Sequence, residues 1–171
     1  RIGGGANAGH TVWVDGKKIV LHLLPSGILW PDKLIVVGPG VVVDPEVLVA
    51  ELEIARKTGA TVVLDPRCHM VLPLSKQLDV LREGASGTKA IGTTGKGIGP
   101  TYEDASARRG PRLGDLRQPT WFAEALEDRN FLVERDVLIR HFGGTPMTAL
   151  ELQTWAAQFA EQITPLLGDA G

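Results

Sequence analysis

The sequence predicts an α/β fold: a partly parallel central sheet flanked by helices, followed by a mostly helical C-terminal third. Three observations point there. Short runs of branched apolar residues alternate with amphipathic stretches through the first half of the chain. A strong hairpin dipeptide, Asp15-Gly16, opens the series. After Pro119 the apolar spacing becomes purely helical.

Taken in order, Thr11-Val12-Trp13-Val14 and Ile19-Val20-Leu21-His22-Leu23-Leu24 read as extended runs joined at Asp15-Gly16, and Pro25-Ser26-Gly27 stops the second. Lys33-Leu34-Ile35-Val36-Val37-Gly38 is continuous and branched, as in a fully buried strand. Asp44 is placed to cap a helix that Pro45 opens. Leu48, Leu52 and Ala55 share one face of it, and Gly59 closes it. Thr61-Val62-Val63-Leu64 reads as another buried strand. Ser75 is expected to cap a second helix carrying Leu78 and Leu81 and ending at Gly84.

Residues 84–117 are rich in Gly, Thr, Lys and Arg without apolar periodicity, so they read as a long loop, a kind of segment that usually carries function. Phe122, Ala125 and Leu126 mark one helical stripe. Leu152, Trp155, Ala156, Phe159, Ile163 and Leu166 mark a longer one, with Gly143-Gly144 between the two. Their spacing makes these aromatic residues core rather than a cofactor box.

Composition narrows the function classes. Of 171 residues, 43% are hydrophobic and 22% charged, which suits a globular domain with a sizeable core. The formal net charge of −2 argues against a general nucleic-acid surface. No apolar run reaches the roughly 18 residues of a membrane span, and no signal peptide is visible, so a cytoplasmic protein without membrane partners is expected. Cys68, the single cysteine, excludes an internal disulfide and a cysteine-rich metal site. It lies in an apolar stretch beside His69 and reads as a core thiol.

Two glycine-rich loops carry the chemistry. The first is Gly3-Gly4-Gly5-Ala6-Asn7-Ala8-Gly9-His10-Thr11. Glycines let backbone N–H groups approach phosphate oxygens with no Cβ in the way. Histidine titrates near neutral pH and can give a proton to a phosphoryl oxygen. The second loop is Gly92-Thr93-Thr94-Gly95-Lys96-Gly97-Ile98-Gly99-Pro100. Aligned on Gly95-Lys96, the Walker A pattern fails twice, with Ala90 in place of the first glycine and Gly97 in place of Ser or Thr. The loop still offers hydroxyls and N–H donors able to grip a monophosphate without holding Mg²⁺. Arg108-Arg109 follows, and arginine can clamp phosphate bidentately. The expected division is an α/β nucleotide-binding part over residues 1–117 and a helical subdomain over residues 118–171.

At these residues the sequence resembles adenylosuccinate synthetase. The resemblance rests on Asn7-Ala8-Gly9-His10-Thr11, on Leu21-His22-Leu23-Leu24-Pro25-Ser26-Gly27-Ile28, and on the second loop with Tyr102-Glu103-Asp104. Ala107-Arg108-Arg109-Gly110 and Gly114-Asp115-Leu116 agree too, whereas the last 50 or so residues match only as a helical pattern. The resemblance implies a P-loop-like α/β fold and a ligase that joins IMP to L-aspartate at the expense of GTP. It implies Mg²⁺ as cofactor, GTP as co-substrate and a homodimer.

Carried over by position, His10 is the catalytic acid and the Gly9 backbone carbonyl is a Mg²⁺ ligand. Gly9, His10 and Thr11 lie along GTP; Asn7, Ala8, Gly9 and His10 contact IMP. Thr94 takes the IMP phosphate within the 84–117 segment, and Arg108 reaches the partner subunit's IMP. Gly38-Pro39-Gly40 departs from the family's usual Gly-Asn-Gly, and Gly3 stands where glutamine is common. A Gly-Asp-Glu-Gly-Lys-Gly-Lys loop is expected before Arg1, and aspartate- and guanine-binding parts after Gly171. The isolated 171-residue chain is therefore expected to be inactive. Two other readings are a related synthetase acting on dGMP and a nucleotide-binding fragment without chemistry.

Overall fold

The computed structural model describes residues 1–89 and 92–169. It opens with an antiparallel hairpin, β1 (His10–Val14) and β2 (Lys17–Leu21), in which Val14 faces Lys17. Asp15 and Gly16 form the two-residue turn with φ of 49° and 74°, the geometry whose twist matches that of the flanking strands. The second strand ends at Leu21. Beyond it, residues 22–24 leave the ladder and run into a 3-10 turn at Ser26–Leu29.

Strand β3 (Leu34–Val37) pairs in parallel with β5 (Thr61–Leu64), and β4 (Val42–Val43) pairs in parallel with β6 (His69–Met70). The parallel pairing is as expected. Among the described residues, however, the strands group as three two-stranded sheets rather than one continuous sheet. The fully buried reading of β3 is corrected as well. Ile35 and Val37 are buried, Val36 is half-buried and Leu34 is exposed. One face of the strand is sealed, so a continuous apolar run here marks a strand without burying both its faces.

Helix α1 (Pro45–Thr58) has the expected ends. The Asp44 carboxylate accepts from the Glu46 N–H at 3.1 Å, and Gly59 closes the helix at φ 80°. Helix α2 (Pro73–Ala85) starts three residues earlier than a Ser75 cap would place it. Pro73 opens it with its ring pre-set for the first turn, Leu72 is the capping residue without a side-chain bond, and Ser75 is buried inside. Lys76 ties the two helices together, with its ammonium 2.8 Å from Asp44 and 2.7 Å from Glu46.

Residues 84–117 are not one long loop. Helix α3 (Ile98–Ser106) runs through them, and Leu113–Arg117 forms a 3-10 turn. Composition hid this helix because polar side chains anchor it. Asp104 is buried and receives the guanidinium groups of Arg109 and Arg135. Arg135 is fully buried and also donates to the Pro100 carbonyl at 2.7 Å. A buried ion pair of this kind is held by its hydrogen bonds more than by net stabilisation, and either partner alone would be an uncompensated charge.

The C-terminal third is helical: α4 (Pro119–Glu127), α5 (Phe131–His141) and α6 (Ala149–Ile163). Gly143 and Gly144 separate α5 from α6 as expected. A second break, between α4 and α5, falls at Arg129 and Asn130, whose φ values of 49° and 56° interrupt the helix. Phe122, Leu126, Leu152, Ala156, Phe159 and Ile163 are buried in one core with Leu113 and Leu116. Trp155 donates to Glu46 at 3.1 Å, docking α6 on α1.

Cys68 is buried, and its thiol donates to the Gly38 carbonyl at 3.1 Å. Burial pushes that thiol up to about 12, so it is an inert core group. His69 beside it is also buried, and its Nε2 has no hydrogen-bond partner among the described residues. Burial, with Arg112 nearby, holds its imidazole down at about 4.

Two stability predictions follow from these features. Gly97 has φ 71°, and a Cβ there would stand 2.7 Å from the Lys76 nitrogen, whereas Gly59 at φ 80° has open space around it. Gly97→Ala is expected to destabilise by about 3 kcal/mol or more and Gly59→Ala by about 1 kcal/mol, read from chemical unfolding. His69 stays neutral in the folded chain but takes a proton below its ordinary 6.5 when unfolded. Stability is then expected to fall as the pH drops from 6.5 towards 4, by about 2–3 kcal/mol in all. His69→Leu removes that share of the slope.

Candidate functional site

The first glycine-rich loop is shaped by close packing. A Cβ on Gly5 would lie 2.5 Å from Ile98 Cδ1 and 2.8 Å from Val42 Cγ2, so this glycine lets the loop rest directly on the start of α3. Tyr102, one turn along α3, clamps the same loop: its hydroxyl accepts from the Gly4 N–H at 2.8 Å and donates to the Gly40 carbonyl at 2.7 Å. The two glycine-rich loops are thus brought together at Gly5, Ile98 and Tyr102. Pro39 fits the Gly38–Val41 turn, where the Val41 N–H bonds back to the Gly38 carbonyl at 3.1 Å. Proline is well suited to the second position of such a turn.

Beyond Ala6 the loop opens. Asn7, Ala8 and Gly9 are exposed, and His10 is half-buried at the start of β1. An open cleft of about 470 Å³ is lined by Arg1, Ala8, Gly9, His10, Leu23 and Pro25. Its far wall is the 22–24 segment, and that segment is held from two sides. Glu51, buried on α1, accepts from the N–H groups of His22 at 2.5 Å, Leu23 at 3.1 Å and Leu24 at 2.6 Å. The Arg1 guanidinium donates to the carbonyls of His22 at 2.8 Å and Leu23 at 2.7 Å, and to Gly3 and Gly5 in the facing loop at 3.1 and 2.8 Å. Arg1 therefore staples the two walls of the cleft together. The His22 imidazole lies over Gly9, where a Cβ would come within 3.1 Å of its Nε2.

Thr11 is exposed, and β-strand alternation puts it on the opposite face of β1 from His10. Thr94 is exposed on the second loop, and Thr93 lines a separate cleft of about 520 Å³ with Asp79, Arg82, Glu83 and Glu103. Asp79 anchors this loop by accepting from the Gly97 N–H at 2.9 Å. Ala90, used in the Walker A comparison, lies outside the described residues. The arginine pair separates: Arg109 is taken up by Asp104 and Glu134, while Arg108 is exposed at φ 57° and its side chain pairs with no described residue. Among the described residues no cluster of three or more His, Cys, Asp or Glu could hold a metal. No described helix is long and apolar enough to cross a membrane.

Arg1, Glu51 and Arg135 escaped the sequence reading. Each of the last two carried a signal. Glu51 stands three residues after Leu48 on the apolar face of α1, and Arg135 stands between Phe131 and Ile139 on the apolar face of α5. A charge on a buried stripe announces a specific partner.

Comparison with known proteins places this loop pair in a family. The family model described as adenylosuccinate synthetase matches residues 1–171, the whole chain. The chain belongs to the adenylosuccinate synthetase family. The adenylosuccinate synthetase of Geobacter metallireducens is 49% identical over 144 residues, covering 79% of this chain and 34% of that protein. That of Hahella chejuensis is 42% identical over 177 residues, covering 99% of this chain and 40% of that protein. The solved structure of fully ligated adenylosuccinate synthetase from Plasmodium falciparum superposes with a TM-score of 0.81 at 29% identity, covering 98% of this chain and 39% of that one. The chain thus spans about 40% of the length of these synthetases, and the helical third, expected to match only as a helical pattern, lies within both the sequence match and the superposed part.

The clamp on the 22–24 segment generates a prediction. Glu51→Gln keeps one acceptor oxygen and loses the charge, so a stability loss of about 2 kcal/mol is expected. Amide hydrogen exchange should quicken at His22, Leu23 and Leu24 and stay unchanged in α4 and α6.

Proposed function

We propose that the protein carrying this chain is an adenylosuccinate synthetase, joining IMP to L-aspartate with hydrolysis of GTP to GDP and phosphate. The family match across all 171 residues, with the first loop arranged around an open cleft at His10, is the observation that supports this. The reaction has two steps. The γ-phosphoryl group of GTP moves to the 6-oxygen of IMP, and the aspartate amine then displaces the phosphate at C6. Phosphorylation makes a poor leaving oxygen a good one, and positioning with electrostatic stabilisation provides most of the rate.

In this reading residues 1–117 bind the nucleotides and residues 118–171 support them. His10, which lines the cleft, is the catalytic acid. Asn7, Ala8, Gly9 and His10 meet IMP, and Gly9, His10 and Thr11 follow the GTP phosphates. Ala8 and Gly9 are exposed at the cleft, which supports both contacts. Thr94 takes the IMP phosphate. Arg108, exposed and unpaired among described residues while Arg109 is not, suits a role outside its own fold, on IMP in the partner of a homodimer.

Gly9 lines the cleft, and its carbonyl, a hard oxygen, would suit Mg²⁺, which keeps most of its ligands from phosphates and water; the described residues supply no carboxylate cage of their own. Bound there, Mg²⁺ would neutralise charge on the phosphates. His10 would donate its proton to a phosphoryl oxygen, and the wall held by Glu51 and Arg1 would keep His10 and Gly9 in register.

Steady-state assays on the full-length gene product test the assignment. His10→Asn is expected to lower kcat by about 10²–10⁴-fold with the KM for IMP nearly unchanged. Arg108→Ala should raise the KM for IMP with a smaller change in kcat. A full-length protein that uses dGMP in place of IMP, or makes no adenylosuccinate, would overturn the reading.

A further inference from the structure

Helix α2 ends in a residue that its own helix disfavours. Glu83 lies in the last turn, where exposed carbonyls make a carboxylate unwelcome. Its carboxylate turns to the second loop and accepts from the Gly92 N–H at 2.5 Å and the Thr93 N–H at 3.3 Å. Those donors open the glycine-rich loop that contains Thr94. Two successive backbone N–H groups converging on one oxygen make an anion cradle, and here an internal anion fills it. Other charged groups line the same cleft. Asp79 and Glu103 line the same cleft, and Arg82 is engaged with Glu103 at 2.6 Å.

We propose that Glu83 is an internal competitor for the nucleotide phosphate: its carboxylate occupies the Gly92 and Thr93 N–H groups, and a phosphate monoester must displace it to bind. This rests on the IMP reading above and adds a residue that sets the affinity. A carboxylate and a phosphate cannot share two adjacent N–H donors, because each brings negative charge to the same few ångströms. Release of Glu83 to solvent restores its hydration, which offsets part of the cost, and the ligand's higher charge favours the exchange. Glu83 thereby keeps the loop ordered without ligand and lowers its affinity for weaker anions.

Isothermal titration of the full-length gene product with IMP, and with inorganic phosphate as a second probe, tests this in wild type and two variants. Glu83→Gln removes the charge and weakens the acceptor. Glu83→Asp keeps the charge and withdraws it by one methylene. Competition predicts that both bind IMP about three- to tenfold more tightly than wild type, and that amide exchange at Gly92 and Thr93 quickens in the ligand-free variants. If Glu83→Asp binds IMP as wild type does while Glu83→Gln binds more tightly, charge repulsion explains the effect and the competition is wrong. Unchanged or weaker binding in both variants also overturns it. Wild type that binds no IMP overturns the nucleotide reading itself, a result distinct from IMP binding that ignores Glu83.

Discussion

One buried carboxylate governs the geometry of the first loop. Glu51 gathers three successive N–H groups of a segment that has left its β-ladder, and these groups would otherwise be unpaired at the edge of the core. With its donors taken by Glu51, the segment turns its His22 and Leu23 carbonyls to Arg1. Arg1 in turn fixes the carbonyls of Gly3 and Gly5 across the cleft. The alternation of carboxylate, peptide and guanidinium converts two flexible stretches into two walls at a set separation. His10 and Gly9 sit between those walls, on the end of a hairpin whose twist is set by Asp15 and Gly16. If the cleft transfers a phosphoryl group, as proposed, its chemistry depends on positioning, and here positioning derives from backbone groups held by charged side chains.

The second loop depends on a similar economy of parts. Helix α3 has few large apolar residues, so it is anchored by Asp104 against Arg135 and Arg109 and by Tyr102 against Gly4 and Gly40. Gly97 lets the helix start against the α2 backbone, closer than any side chain would permit. Each anchor joins α3 to a different neighbour: α5, the first loop and α2. The described part of the second loop is therefore held at Gly92 and Thr93 by Glu83 and at Gly97 by Asp79. Under the proposed function these features share a purpose, since a synthetase using two nucleotides would need two phosphate-gripping loops in contact.

Local rules were legible where one residue type answers one backbone demand. Asp15-Gly16, Asp44-Pro45 and Gly59 each marked a turn or a helix end because their φ preferences leave little choice. Ser75 misled because Pro73 upstream opens the helix earlier. Helix α3 was invisible because periodicity reports apolar burial, and this helix buries Thr101 and Asp104. The break at Arg129 and Asn130 carried no glycine to announce it. At the site, the glycine-rich loops stood out in the sequence, but Arg1 and Glu51 did not. Their partners are backbone groups far along the chain, which no spacing rule connects.

The most direct measurement is a crystal structure of the full-length gene product with IMP and a non-hydrolysable GTP analogue, read at the two loops. The account predicts phosphate oxygens within hydrogen-bond distance of His10 and of the Gly92 and Thr93 N–H groups, with Glu83 turned away. It also predicts the 22–24 segment unmoved on Glu51. Nucleotides bound away from His10, or a first loop rebuilt with Glu51 released, would contradict it.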